Sequence, residues 1–205
     1  HTDSSAASDV YKRQSLTIIT PIITIQVSDA VYRELHDPVN ETLKSAKAFS
    51  SGLSVIFIGM LIFAFAAFFI NKFFANKNFY ELILIQSSFT LYVFFQQSLR
   101  GLALNREYAL MGTMNAFLLI SFSLGLIYFS TIELSNIVLA IACAQSISVT
   151  YAVYKINFFK LFNIKNIRKT KIKELLNYSF PLLPNTLSWW LIDLGSRYII
   201  CLLYT

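Results

Sequence analysis

The side chains with the clearest chemical potential lie near the end of the chain, in the apolar segment LLNYSFPLLPNTLSWWLIDLGSRYII. Asp193 and Arg197 are four residues apart, so that on a helix both charges lie on one face. Pro181 and Pro184 each remove a backbone donor, which predicts a bend or break near Pro184, just before Asn185. An ionisable group at membrane depth costs about 2.5–3.5 kcal/mol on insertion scales, so it usually faces a cavity or a partner.

Two interpretations of this segment stay open on spacing alone. In the first, the segment lines a polar cavity, and Arg197 offers its charge to an anionic substrate. In the second, Arg197 extends to the membrane interface and Asp193 neutralises it. Asp29 and Arg33 repeat the four-residue spacing earlier in the chain, and Arg100 closes another apolar segment. A helix-end or topology-setting role competes with a binding role for these three residues.

Motifs of enzyme chemistry are missing from the sequence. There is no HExxH, no glycine-rich phosphate loop and no Cys/His set with metal spacing. His36, beside Asp37 and Pro38, is typical of a loop. We therefore expect no catalytic residue, no bound metal and no cofactor.

Composition indicates a membrane protein. Hydrophobic residues make up 56% of the 205 residues and charged residues 14%, whereas a soluble domain carries roughly 25% charged residues. Stretches without Asp, Glu, Lys or Arg run over residues 15–28, 48–71, 82–99, 108–132, 134–154 and 175–192. The first stretch is long enough for a span if it continues through Asp29, and the last if it continues past Arg197. About 20 apolar residues are needed to span a bilayer. The pattern predicts an all-α polytopic bundle with about six transmembrane helices.

The distribution of basic residues predicts the orientation of these helices. Twelve Lys and Arg residues lie in alternate connections, around 33–47, 100–106 and 155–173, and two lie in the connection around 72–77. Cytoplasmic connections carry the Lys/Arg excess, so the first group is predicted to be cytoplasmic. Because the basic residues lie between apolar segments, the net charge of +6 does not indicate a nucleic-acid partner.

The ends of the chain differ from the rest. Residues 1–14 (HTDSSAASDVYKRQ) are polar and resemble translated adaptor sequence, and the chain stops within an apolar segment. We expect a non-native tail at 1–14, an N-terminal transmembrane lobe at 15–154, a basic cytoplasmic inter-lobe loop at 155–174, and a kinked, truncated helix at 175–205.

Three motifs in order resemble the Wzx-like polysaccharide-export family of bacterial O-antigen and capsule flippases. IITPIITIQVSDAVYRELHD is similar to the family's second helix, and QQSLRGLALNREYALMG to the end of its fourth helix. LLNYSFPLLPNTLSWWLIDLGSRYII is similar to the seventh helix, with a YS-P-P-N-SWW-RY pattern. The resemblance covers about 15–200, and the intervening segments match in hydropathy.

This resemblance implies a fragment of a transporter with 12–14 helices in two six-helix lobes, located in the bacterial cytoplasmic membrane. The chain would hold helices two to six of the first lobe and helix seven of the second. The implied cargo is an undecaprenyl-pyrophosphate-linked oligosaccharide moved by alternating access, with membrane lipids as neighbours and H⁺ or Na⁺ as coupling ion. No covalent catalysis is implied.

The resemblance also selects candidate residues. Arg33, Arg100 and Arg197 match arginines of the family pattern, and guanidinium groups bind phosphate well. Asn185 and Asp193 are further cavity candidates, and Pro181 and Pro184 would act as a gate. The family's acidic residue before the last arginine is replaced by Ser196, which leaves the charge partner of Arg197 undecided.

Three alternatives compete with a flippase. A multidrug or cation antiporter of the same superfamily would need membrane carboxylates, for which Asp29, Glu133 and Asp193 are the nearest residues. A multi-span glycosyltransferase or polymerase would need a large outer loop with paired carboxylates or arginines, and the outer connections are short. A structural membrane subunit would not explain the kinked polar helix.

Overall fold

The computed structural model describes residues 20–36, 42–74, 79–129 and 134–204, and these residues form helices joined by short connections. After a helical stretch at residues 20–24, the helices are α1 (Val27–His36), α2 (Thr42–Phe74), α3 (Phe79–Gly101), α4 (Asn105–Phe129), α5 (Leu134–Lys155), α6 (Phe158–Leu161), the 3₁₀ turn η1 (Ile164–Asn166), α7 (Lys169–Ser179) and α8 (Leu182–Tyr204). The predicted all-α class is confirmed for this part of the chain. The predicted tail at 1–14 lies outside the described residues.

Four of the described helices are long and apolar enough to cross a membrane. The candidate spans are Lys44–Phe69 in α2, Tyr80–Gly101 in α3, Asn105–Leu126 in α4 and Asn136–Lys155 in α5. They correspond to the middle four of the six apolar segments in the sequence. The prediction of about six transmembrane helices is therefore wrong in number.

The first predicted span fails because its backbone breaks in the middle. Ile25 and Gln26 have φ angles of 47° and 53°, so the helical stretch ends at Thr24 and α1 begins at Val27. The left-handed region is unusual for a β-branched residue such as Ile25. At 10 residues, α1 is only about 15 Å long, half the thickness of a bilayer core.

The last predicted span is divided between two helices. α7 ends at Ser179 and α8 begins at Leu182, so the interruption falls at Pro181. Pro184 lies in the first turn of α8, where a backbone N–H has no intrahelical partner in any case. The break therefore lies three residues earlier than the position predicted from the sequence.

α8 has the length of a span but not the composition. It contains 23 residues, yet it is not among the candidate spans. Asn185, Asp193 and Arg197 interrupt its apolar residues. The sequence prediction treated this segment as a span because it allowed the helix to continue past these polar groups.

Neighbouring helices enclose the break at residues 25 and 26. A Cβ atom at Gly59 of α2 would collide with the carbonyl oxygen of Ile23, so the two backbones touch there. Ser179 Oγ donates a hydrogen bond to the Gln26 carbonyl (3.3 Å), and Gln26 Nε2 donates to Thr186 Oγ1 (3.0 Å). Irregular backbone inside a membrane is tolerated where protein surrounds it, and these contacts supply that surrounding.

An aromatic cluster holds the helices together at one end of the bundle. The Phe49 ring of α2 lies 5.3 Å from Phe94 of α3 and 6.0 Å from Phe158 of α6, measured between centroids. Phe95 lies 6.2 Å from Phe158. Offset and edge-on ring pairs at these separations are worth about 0.5–1.5 kcal/mol each beyond their burial. The short helix α6 is thereby packed into the bundle.

This same end of the bundle is called the basic end below. It contains the starts of α2 and α4 and the ends of α1, α3 and α5. Ser50 Oγ of α2 donates to the Leu161 carbonyl (3.4 Å) and accepts from the Asn163 N–H (3.1 Å). At the start of α4, Glu107 pairs with Lys155 at the end of α5 (3.5 Å). The basic segment 155–174, predicted as a loop, contains α6, η1 and the start of α7.

We predict that Gly59→Ala destabilises the protein. Its new Cβ would meet the rigid Ile23 carbonyl, and overpacking of this kind costs about 1–3 kcal/mol. Gly125→Ala in α4 is the matched control, because a Cβ there meets nothing within 4 Å. Unfolding by sodium dodecyl sulfate in detergent micelles measures both variants, and an equal loss in the two would contradict the close contact.

We also predict that Arg106 and Lys165 face one side of the membrane and Lys72 the other. Single cysteines at these exposed positions, in a protein without Cys143 and Cys201, are tested with an impermeant thiol reagent. Arg106→Cys and Lys165→Cys should react from the cytoplasmic side only, and Lys72→Cys from the outer side only. Labelling of all three from one side would contradict the arrangement.

Candidate functional site

An open cleft of about 610 Å³ lies at the basic end, where α1, α3 and the α7–α8 junction meet. Charged, aromatic and amide side chains line it: Asp29, Tyr32, Arg33, Glu34, His36, Gln97, Arg100, Tyr178 and Leu182. Two of the three sequence-predicted arginines, Arg33 and Arg100, therefore share one cleft although 67 residues separate them in the chain.

Aromatic rings orient the two arginines. The Arg33 guanidinium carbon lies 4.4 Å from the centroid of the Tyr178 ring, and that of Arg100 lies 4.9 Å from the centroid of Tyr32. Tyr32 in turn stacks on His36 at 5.7 Å with an interplanar angle of 16°. A guanidinium over an aromatic ring is attracted by the ring face, and this interaction does not consume its N–H donors.

Neither of these arginines forms an ion pair with a carboxylate of the described residues. No described carboxylate lies within 4.0 Å of Arg33 or Arg100; the ion pairs of this part of the chain involve Lys155 and Lys171. Asp29 and Arg33 do not form the pair that their spacing suggested. Asp29 instead lies close enough to Arg100 for their charges to attract each other.

A close helix crossing sets the position of Arg100 relative to α1. A Cβ at Gly101 would lie 2.8 Å from Leu35 Cβ and 3.0 Å from the Tyr32 carbonyl oxygen. Glycine at the end of α3 therefore allows the backbones of α1 and α3 to touch. This contact brings the Tyr32 ring beneath the side chain of Arg100.

Lys171 fixes α7, which carries Tyr178, against α1. Its Nζ donates to Glu34 (2.7 Å) and to Glu174 (2.9 Å). Burial alone would lower the pKa of Lys171, but the hydrogen bonds and charges of Glu34 and Glu174 outweigh it and raise the pKa above its ordinary value. Lys171 thus stays charged at neutral pH, and α7 stays tied to the helix that carries Arg33.

The other sequence-predicted site residues are placed differently. Pro181, Pro184 and Asn185 are exposed and do not line the cleft, although Leu182 of the same segment does. The side chains of Asp193 and Arg197 lie outside the described part of the structure. The binding role of these residues and the gating role of the prolines stay predictions.

Sequence reasoning missed the aromatic residues of the cleft. Tyr178 belongs to a quoted motif, and Tyr32 lies three residues after Asp29, but neither carried a signal of its own. Only helix packing reveals that each ring lies under an arginine from another helix. Tyrosine beside arginine in a helical segment is common, so spacing alone could not have identified these pairs.

No protein-family model matches the chain, and no curated protein and no solved structure is significantly similar to it. The described residues support a helical protein with four candidate membrane spans. The resemblance to polysaccharide flippases therefore stays a prediction from the motifs.

We predict that Glu34→Gln lowers the thermal unfolding midpoint more than Glu174→Gln does. Both carboxylates bind Lys171, but Glu34 joins two helices whereas Glu174 lies three residues from Lys171 within α7. A partly exposed pair contributes up to about 1 kcal/mol. Because the raised pKa keeps Lys171 protonated, the difference should persist at neutral pH and vanish as the pH rises through the pKa of Lys171 in the folded protein. Equal midpoints would contradict the tethering role of Glu34.

Proposed function

We propose that this chain is part of a flippase that binds the diphosphate of a lipid-linked oligosaccharide in the cleft at the basic end. The juxtaposition of Arg33 and Arg100, neither paired with a described carboxylate, carries this proposal. Two cationic groups that line one cleft, with no described carboxylate within 4.0 Å of either, favour an anionic ligand. The cargo class comes from the three motifs that resemble polysaccharide-export proteins.

The geometry of the arginines suits a diphosphate. A guanidinium edge presents parallel N–H donors that match two phosphate oxygens, and each such charge-assisted bond contributes about 1.5–3 kcal/mol. Tyr178 and Tyr32 lie beside the two guanidinium groups and restrict them, which reduces the entropy lost when a ligand orders them. Tyrosine rings and Gln97 provide surfaces against which sugar hydroxyls and ring faces can pack.

The size and surroundings of the cleft also suit a lipid-linked ligand. A volume of about 610 Å³ is in the range of pockets that hold small organic molecules, and the cleft is open rather than enclosed. The neighbouring spans offer apolar surface to an isoprenoid tail: only 6% of the apolar window of α4 is buried inside the protein. A charged head group in the cleft and a tail in the bilayer are compatible with this arrangement.

A cation antiporter, the alternative from the same superfamily, fits the cleft less well. Arg33 and Arg100 would repel an organic cation, and Glu34 is already bound to Lys171. Asp29 remains as the nearby carboxylate, and Arg100 attracts it. The balance of charge in the cleft therefore favours an anion over an organic cation.

We predict that Arg33→Ala and Arg100→Ala each weaken diphosphate binding by about ten- to hundredfold, the loss of one charge-assisted contact. Titration of the purified chain in detergent with farnesyl diphosphate, followed by calorimetry, measures the affinity. Arg33→Lys keeps the charge but loses the planar fork of donors. Its affinity for farnesyl diphosphate should therefore fall between those of the unmodified chain and Arg33→Ala.

Arg106→Ala is the matched control, because Arg106 is exposed at the same end of the bundle but does not line the cleft. It should bind as tightly as the unmodified chain. Equal losses for Arg106→Ala and Arg100→Ala would indicate a general charge effect and overturn the cleft as the binding site. Tight binding of an organic cation with no diphosphate binding would favour the antiporter.

A further inference from the structure

Residues 156–168, called the connecting segment here, join α5 to α7 and present exposed apolar and basic side chains side by side. Phe159 is 92% exposed and precedes the exposed Lys160, and Ile164 is 73% exposed and precedes the exposed Lys165. Both apolar residues lie outside the four candidate spans. Alternation of large apolar and basic side chains is typical of segments that lie in a membrane–water interface.

Buried serines of α2 hold the connecting segment against the bundle. Ser50 Oγ bonds the Leu161 carbonyl and the Asn163 N–H, and Ser51 Oγ accepts from the Arg168 N–H (3.5 Å). Both serines are completely buried. The exposed side chains of the segment therefore project from a backbone that is fixed to a candidate span.

The phenylalanines of the connecting segment face two ways. Phe158 and Phe162 stack at 5.1 Å between centroids and pack against the buried core. Phe159 meets the edge of Phe158 and is otherwise exposed. Among the described residues, helix packing thus accounts for Phe158 and Phe162 but gives Phe159 and Ile164 no role in the fold.

The connecting segment lies at the level where the candidate spans meet the membrane surface. It begins directly after Lys155, where the span in α5 ends. Ser50, which contacts it, lies six residues inside the start of the span Lys44–Phe69, and six residues of helix correspond to about 9 Å. Interfacial segments bury their apolar side chains about 5–10 Å into the boundary between headgroups and acyl chains. At this depth the neighbouring molecules are lipids rather than soluble proteins.

The charge of this region selects the kind of lipid. Residues 155–173 contain seven Lys and Arg residues and no Asp or Glu. Lys155 pairs with Glu107, and Lys171 pairs with Glu34 and Glu174. No described carboxylate lies within 4.0 Å of the other five: Lys160, Lys165, Arg168, Lys169 and Lys173. Headgroups with a net negative charge match this excess, whereas zwitterionic headgroups do not.

We propose that the connecting segment binds anionic phospholipid headgroups, with Phe159 and Ile164 inserted among the acyl chains and Lys160 and Lys165 bound to phosphates. A lysine side chain is long enough to extend from the acyl boundary to the headgroup level. One lysine near an anionic bilayer surface favours association by roughly fivefold. The surface is separate from the arginine cleft, and it does not rest on the proposed function.

A tryptophan placed in the connecting segment reports both its depth and its lipid preference. Phe159→Trp is made in the 205-residue chain with Trp189 and Trp190 replaced by phenylalanine. The purified protein is reconstituted in vesicles of phosphatidylcholine and phosphatidylglycerol, with bromine on the acyl chains of one lipid at a time. Bromine quenches tryptophan fluorescence on contact. At equal mole fraction, brominated phosphatidylglycerol should show a roughly fivefold higher association constant at position 159 than brominated phosphatidylcholine.

Charge variants in the same tryptophan background test the role of the lysines. Lys160→Gln with Lys165→Gln should bring the two association constants close to equality. Lys72→Gln with Lys77→Gln is the matched control, because it removes two lysines from the connection between α2 and α3. This control should keep the preference for phosphatidylglycerol.

Equal quenching by the two brominated lipids, or a preference that survives Lys160→Gln with Lys165→Gln, would overturn the anionic-lipid surface. Absence of quenching by either lipid, with the emission of a water-exposed tryptophan, would overturn it in favour of a segment that lies outside the bilayer. Ile164→Trp is the second reporter if Phe159→Trp fails to fold. Because the Ile164 side chain is largely exposed, its replacement should leave the packing of the bundle intact.

Discussion

The backbone of Ile25 and Gln26 leaves the helical conformation within a helical bundle, and the position of α1 in the cleft depends on how the neighbouring helices accommodate this break. Hydrocarbon offers no hydrogen bonds, so polar groups freed by an interrupted helix must be satisfied by protein or by a polar cavity. Ser179 and Thr186 hydrogen-bond Gln26 from the far side, and Gly59 makes room for the Ile23 carbonyl. The break also borders a cavity of about 240 Å³ that Thr20, Thr24, Gln26 and Ser28 help to line.

The break also determines where α1 points. A continuous helix through residues 20–36 would carry Asp29 and Arg33 along one straight axis, whereas the interruption starts a new helix at Val27. The contact of Gly101 with Tyr32 and Leu35 then fixes this helix against α3. Arg33 and Arg100 converge as a result. Their cleft is a product of two backbone contacts that only a residue without a Cβ permits.

The charged residues in this region fall into two groups, those that hold helices together and those that have no carboxylate partner among the described residues. Lys171 binds both Glu34 and Glu174, and its pair with Glu34 ties α7 to α1. Arg33 and Arg100 stack on tyrosines and have no described carboxylate partner, so their charge is available. The carboxylates of the cluster thus serve helix packing, and the two arginines are left for the proposed anionic ligand.

Some features followed from the sequence by itself because they depend on composition and spacing. Long runs without charge determined the helical class and the four candidate spans of the described residues, since a bilayer needs about 20 apolar residues and helices satisfy their own backbone hydrogen bonds. The arginines were identified as candidates from the motifs that resemble polysaccharide-export proteins. Pro181 and Pro184 predicted an interruption in the last segment, and it lies at Pro181, because Pro184 is tolerated in a first helical turn.

Tertiary structure alone decided the rest. Neither Ile25 nor Gln26 is a proline or a glycine, and Pro21 lies four residues before the break, so the apolar run was taken for one span. The pairing of Arg33 with Tyr178, and of Arg100 with Tyr32, joins residues that are distant in the chain, and no periodicity encodes such contacts. Hydrophobic pattern determines which segments become helices. Which side chains face the same cavity depends on where two helices can approach, and at Gly59 and Gly101 that is set by contacts between backbones.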